Sequence, residues 1–185
     1  GDNVGTGLDV DSVGAITLSS VTASGNASYG AIMSNHLTPL PTQVPQAITV
    51  IKSSFDNNDY GLVVFSQRKI TLTSVNASGN KVMGMQVDNS LSTVSSPVVI
   101  NGASQVNFNG VNAIDAPGLG VYSLGPLTIS GVSASWNFNS GIRVLTIAST
   151  GVTITNSQVD NNRSYGIYIG SSTFKAGLVT LSGVR

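Results

Sequence analysis

The chain has 185 residues, a net charge of zero, no Cys, and only 9% charged side chains, against roughly 25% in an average soluble protein. That balance excludes long-range capture of nucleic acid or of an anionic membrane. All eight acidic residues are Asp, and Ser, Thr, Asn and Gly supply most of the polarity. These side chains bond locally to the backbone, so short strands and tight turns are expected and helix is not.

In chain order, Gly1-Asp2-Asn3 is not a basic-then-apolar leader, so a mature chain or a fragment is expected. Gly7-Leu8-Asp9-Val10 reads as the second strand of a coil. A repeating unit then begins: an aliphatic–Thr–aliphatic strand, an Asn ten residues after the strand starts, a Gly, and a second apolar strand. It reads Ile16-Thr17-Leu18 with Asn26 and Gly30, then Ile48-Thr49-Val50 with Asn58 and Gly61, then Ile70-Thr71-Leu72 with Asn80 and Gly84. Val106-Asn107-Phe108 reads as a degenerate copy, with Ala116 in the Asn place and Gly120 following. Leu127-Thr128-Ile129 with Asn137 and Gly141, and Val152-Thr153-Ile154 with Asn162 and Gly166, restore the pattern. Val179-Thr180-Leu181 opens a last coil. The steps between strand starts are 32, 22, 36, 21, 25 and 27 residues. The short steps set the coil, and the long ones place two corner insertions, at Ser34–Gln46 and Asp88–Gln105.

Alternation within the first strand assigns Ile16/Leu18, Ile48/Val50, Ile70/Leu72, Val106/Phe108, Leu127/Ile129, Val152/Ile154 and Val179/Leu181 to the interior. Thr17/Ser19, Thr49/Ile51, Thr71/Thr73, Asn107/Asn109, Thr128/Ser130, Thr153/Thr155 and Thr180/Ser182 then face out. The second strand turns Leu62/Val64, Met85/Val87, Val121, Ile142/Val144 and Ile167/Ile169 inward. Its outward positions are Ile32, Val63, Gln86, Tyr122, Arg143 and Tyr168. Copies stacking in parallel at about 4.8 Å give a rod of about 35 Å over seven coils. The connections are too short for crossover helices. Asn26, Asn58, Asn80, Asn137 and Asn162 form a predicted inward ladder, each amide satisfying backbone groups at a tight bend and bonding to the Asn of the next coil. The Gly that follows supplies positive φ or close backbone approach.

Val152-Thr153-Ile154-Thr155-Asn156-Ser157 through Asn161-Asn162-Arg163-Ser164-Tyr165-Gly166-Ile167-Tyr168-Ile169 resembles the generic coil of right-handed parallel β-helix proteins of the pectate-lyase-like superfamily. The resemblance covers nearly the whole chain. It implies an all-β right-handed parallel β-helix (β-solenoid) of about seven coils, as one domain over residues 1–185. It leaves activity open, because the superfamily holds lyases, hydrolases, esterases and epimerases beside adhesins, tailspikes and repetitive surface proteins.

Polysaccharide-cleaving members of that superfamily work from side chains on adjacent coils. Hydrolases pair carboxylates about 5 to 9.5 Å apart, and lyases cluster them around calcium with a Lys or Arg as base. In register, Asp56 and Asp160 share a column but stand four coils apart, roughly 19 Å. Asp115 and Asp88 lie elsewhere, and no carboxylate pair falls on neighbouring coils of one face. No catalytic residue, metal or cofactor is therefore assigned. Asp56-Asn57-Asn58-Asp59 lacks the acidic density of a calcium loop, and reads as a corner with Lys81 on the next coil. His36, the only His, lies in the Pro-rich insertion without a Ser–His–Asp context.

Ile32, Val63, Tyr122, Arg143 and Tyr168 form a candidate contact stripe for sugar or protein, unless the insertions fold over it. Trp136 is expected to pack at a bend. The outward Thr ranks match the spacing of an ice-binding face, with Ile51 and Asn107/Asn109 as interruptions. Neither end shows a polar cap, so a piece of a longer solenoid or a head-to-tail stacking unit is expected. The favoured expectation is a structural, adhesive or filament-forming β-solenoid of a secreted or cell-surface protein. It would associate with itself end to end or with neighbouring solenoid segments, without a membrane span or nucleic acid. The alternatives are a polysaccharide-active β-helix or carbohydrate-binding module and, more remotely, ice binding.

Overall fold

The computed structural model describes residues 3–35, 46–113, 115–146, 150–170 and 175–185. Among the described residues fourteen strands appear in chain order: β1 Leu8–Asp11, β2 Ile16–Ser19, β3 Tyr29–Ser34, β4 Ile48–Ile51, β5 Tyr60–Phe65, β6 Ile70–Thr73, β7 Met83–Asp88, β8 Val98–Asn101, β9 Leu119–Ser123, β10 Leu127–Ser130, β11 Ile142–Thr146, β12 Val152–Thr155, β13 Ile167–Ile169 and β14 Val179–Ser182. Odd-numbered strands from β1 to β13 form one seven-stranded sheet, and even-numbered strands from β2 to β14 form the other. Every pairing is parallel. A third face is one residue wide, a row of parallel bridges through Thr22, Ser54, Asn76, Gln105, Ser133 and Gln158. The chain thus winds through six complete turns, with half-turns at β1 and β14.

The interior follows from period-two alternation on two faces and from a small–large rhythm on the third. Ile48, Val50, Ile70, Leu72, Val98 and Ile100 of the even sheet meet Leu62, Val64, Met85, Val87, Leu119 and Val121 of the odd sheet in one buried cluster. The third face adds Phe55, Ala77, Val106 and Ala134 to that cluster, with partly buried Ala23 and Val159 packed against it at either end. Small and large residues alternate from coil to coil, so each large side chain fills space that its smaller neighbours leave. Interior packing near crystal density requires such complementarity.

The fourth coil corrects the sequence register. Its first strand is Val98-Val99-Ile100-Asn101, paired with Ile70–Thr73 on one side and Leu127–Ile129 on the other. Val106 does point inward, but from the third face. Phe108 is exposed rather than interior, and Asn109 is fully buried rather than outward. The supposed insertion over Asp88–Gln105 therefore contains β8, and the extra length at that corner is confined to Asn89–Pro97. There Asn89 Nδ2 donates to Ser96 O at 2.6 Å and Ser92 Oγ donates to Gln67 O at 2.7 Å. The other lengthening lies between Asn109 and Gly118, where eight residues replace the two or three of the other coils. The first predicted insertion falls almost wholly outside the described residues, as does His36.

Both bends beside the third face are built on positive φ. At the first, Ser20, Lys52, Ser74, Gly102, Gly131, Asn156 and Gly183 have φ between 47° and 68°. At the second, Gly25, Asn57, Gly79, Phe108, Trp136 and Asn161 have φ between 56° and 75°. One left-handed residue turns the chain sharply enough to start the next face.

Candidate functional site

The second bend carries the Asn ladder. The backbone N–H of Asn26 donates to Asn58 Oδ1 at 2.8 Å, that of Asn58 to Asn80 Oδ1 at 2.8 Å, and that of Asn80 to Asn109 Oδ1 at 2.9 Å. Asn109 then donates to Asn137 Oδ1 at 3.0 Å and Asn137 to Asn162 Oδ1 at 2.9 Å. Asn109 occupies the rung that the sequence register had left to Ala116. The Gly column exists because of this ladder. Gly30, Gly61, Gly84, Gly118 and Gly141 have no positive φ, so close approach is the reason for Gly. A Cβ on Gly84 would lie 2.7 Å from Asn109 Nδ2, and one on Gly118 2.6 Å from Asn137 Nδ2.

A second ladder runs beside the first and takes in the Asp56 carboxylate and the Asp160 backbone amide. Asp56 N donates to Ser24 Oγ at 3.0 Å, Ser78 N to Asp56 Oδ1 at 2.7 Å, and Asn107 N to Ser78 Oγ at 3.2 Å. Ser135 N donates to Asn107 Oδ1 at 2.8 Å and Asp160 N to Ser135 Oγ at 3.0 Å. Ser alternates with Asp or Asn along the column. Asp56 is thus a bend acceptor, also holding Asn76 Nδ2 at 3.0 Å and the Ser54 hydroxyl. Asp88 accepts from Ser90 N at 2.8 Å, and Asp59 lies 3.0 Å from Lys81 Nζ. Asp9 and Asp11 stand exposed on the outer face of β1, the outermost strand of its sheet. No cluster of three or more metal-ligating side chains occurs among the described residues.

The predicted contact stripe divides. Ile32, Val63, Gln86, Gly120, Arg143 and Tyr168 share one outward column. Tyr122 is in the next column, beside Asp88 and Leu145, because the residue in register with Gln86 is Gly120. Val63 is buried despite its outward register and offers no contact area. Arg143 and Tyr168 do come together. The guanidinium sits 5.9 Å from the Tyr168 ring centre, and Tyr165 packs on Tyr168 at 5.4 Å. With Asp115, Asn139, Ser140 and Ser164 they line an open hollow of about 320 Å³. Arg143 Nε is buried there without a hydrogen-bond acceptor. A larger hollow of about 480 Å³ at the last bend is lined mainly by Gly, Val, Ser and Asn, with Arg185 as its one charged residue.

The outer face of the even sheet is free of charge. Its two columns read Thr17, Thr49, Thr71, Val99, Thr128, Thr153, Thr180 and Ser19, Ile51, Thr73, Asn101, Ser130, Thr155, Ser182. Val99 and Asn101, rather than Asn107 and Asn109, interrupt the hydroxyls. Trp136 lies at a bend as expected, but it is 53% exposed.

This is the geometry of a right-handed parallel β-solenoid with satisfied polar bends. The family model for the right-handed beta helix region matches residues 2–176. The chain belongs to that family. No curated protein and no solved structure matches it.

Proposed function

We propose that this chain is a stretch of rigid rod in a secreted or cell-surface protein, with a structural, adhesive or filament-forming role and no catalytic site of its own. The observation that supports it is the use of the acidic side chains. Asp56 and Asp88 accept backbone N–H groups at turns, Asp160 accepts from the Gln158 side chain, and Asp59 pairs with Lys81. Hydrolysis and lyase chemistry need carboxylates converging on one substrate position, and these four are committed to their own backbone or neighbours. Neighbouring solenoid segments, or further copies stacking end to end, are the proposed partners. Electron microscopy and light scattering at high concentration test the filament form. Elongated assemblies are expected, and monomers alone would remove it. Detection on intact source cells or in the medium tests the localisation, and confinement to the cytosol would sink it.

A polysaccharide-active β-helix is the second reading, favoured by Asp115, Arg143, Tyr165 and Tyr168 around one hollow. An unpartnered guanidinium nitrogen beside two tilted tyrosine rings suits an anionic sugar. Incubation with a panel of acidic polysaccharides decides between the two. Release of unsaturated or reducing ends would establish the enzyme, and intact chains after long incubation support the scaffold.

A further inference from the structure

The second bend demands a left-handed residue, and four of its six positions carry the residues that adopt it readily, Gly25, Asn57, Gly79 and Asn161. Phe108 and Trp136 do not fit that set. A bulky side chain at positive φ is strained, and such strain concentrates at functional positions. The repeat shows what the bend itself requires. Ala23-Ser24-Gly25-Asn26 and Ala77-Ser78-Gly79-Asn80 are identical, and the third copy is Ala134-Ser135-Trp136-Asn137. Likewise Ser157-Gln158-Val159-Asp160-Asn161-Asn162 has Asn where Ser104-Gln105-Val106-Asn107-Phe108-Asn109 has Phe. Two adjacent coils have exchanged the easy residue for an aromatic one.

The two rings do not enter the core. Phe108 is 59% exposed, Trp136 53% and nearby Phe138 42%. The Phe108 and Trp136 rings lie nearly parallel, 11° apart, with centres 6.2 Å apart. The stack stops at Trp136, because the next position holds the short Asn161. Beyond it opens a hollow of about 210 Å³ lined by Trp136, Asn137, Phe138, Asn161 and Arg163. Arg163 has no carboxylate partner among the described residues.

We propose that this shelf binds a pyranose ring of a polysaccharide. A sugar ring has an apolar C–H face, which Trp136 receives with Phe108 as its backing and Phe138 as a side wall. Its rim of hydroxyls meets the amide of Asn161 and the planar fork of donors on Arg163. A purely apolar partner would leave both polar groups without compensation. A nucleic acid would call for a run of cations along its backbone, and the chain is neutral overall. The shelf would be an adhesive point on the proposed rod; a rod without sugar affinity would still assemble in the scattering experiment above.

Trp136 is the only Trp in the chain, so its fluorescence reports on the site directly. Cellohexaose, xylohexaose, chitohexaose and hexagalacturonate are titrated against the purified protein. At least one is expected to shift or quench the emission saturably below about 1 mM. Trp136→Gly and Phe108→Asn restore the residues found elsewhere in the column. Measured by calorimetry, each is expected to lower affinity at least about tenfold while the melting temperature stays level or rises. The absence of a saturable response from all four sugars would overturn the proposal. So would unchanged affinity in both variants, or a marked fall in the melting temperature of Trp136→Gly, which would make the ring a packing residue. An emission change that tracks protein concentration instead would identify a contact between copies and equally overturn it.

Discussion

Asn109→Ala probes the ladder at the coil where sequence periodicity and tertiary pairing disagree. Asn109 Oδ1 accepts from Asn80 N at 2.9 Å and from Asn80 Nδ2 at 3.1 Å, and its own Nδ2 donates to Asn137 Oδ1 at 3.1 Å. Both Asn80 and Asn109 are fully buried. Alanine leaves two buried donors on Asn80 without an acceptor, each costing about 1–3 kcal/mol. Asn137 Oδ1 keeps the backbone N–H of residue 109 at 3.0 Å, so that side of the rung loses less. The expected loss is about 3–5 kcal/mol, a large part of the roughly 5–15 kcal/mol that holds an ordinary domain. Coils couple mainly to their neighbours, so the unfolding transition should also broaden as the two halves separate energetically. Urea denaturation followed by circular dichroism measures both effects. The exposed Asn112→Ala is the control and should fall within about 0.5 kcal/mol of the parent. If Asn109→Ala matches that control, the ladder assignment is wrong, and Asn109 is the exposed strand residue that simple periodicity makes it.

Three further outcomes are expected. Gly61→Ala places a methyl against Gly84 O and 2.6 Å from Asn80 Nδ2, and should cost about 2–4 kcal/mol by overpacking. Gly5→Ala meets nothing within 4 Å and should be neutral in the same melt, so equal effects would refute the close-approach argument. Lys81→Met removes an ion pair whose side chains are 52% and 36% exposed; its midpoint should move by less than about 1 kcal/mol, and a larger loss would mean that the pair organises the corner. The hydroxyl face of the even sheet, interrupted by Ile51, Val99 and Asn101, should give no more thermal hysteresis than a control protein of equal size. Faceted ice growth in its presence would reverse that expectation.

Much of the architecture was legible because a solenoid writes its cross-section into every coil. Ile48-Thr49-Val50 and Ile70-Thr71-Leu72 are strands by alternation, and they pair in the register that their repeat spacing predicts. The fourth coil was not legible from alternation. Val106-Asn107-Phe108 alternates as well as Val98-Val99-Ile100 does, and period two cannot tell one face of a triangle from another. A longer signal was present, since Ser104-Gln105-Val106 repeats at Ser157-Gln158-Val159 on the third face. The same signal leads to Asn109 as the counterpart of Asn162. The contact stripe failed at Tyr122 for a related reason, a two-residue shift of register that lateral pairing alone reveals.

By itself the sequence determined the winding, the apolar interior, and the need for polar side chains that satisfy sharp bends. These are local properties of alternation, turn chemistry and repeat length. Only the tertiary structure decided which strand of the fourth coil lies between Ile70–Thr73 and Leu127–Ile129, and with that the composition of each surface there. Pairing between residues more than twenty positions apart put Asn109 into the ladder, turned the Asp56 carboxylate toward the Ser78 amide and set the Asp160 amide on Ser135 Oγ. It also held Phe108 and Trp136 in the open at a bend that Gly or Asn would have turned more easily. Exposure depends on what the neighbouring coil provides, and no single coil carries that information.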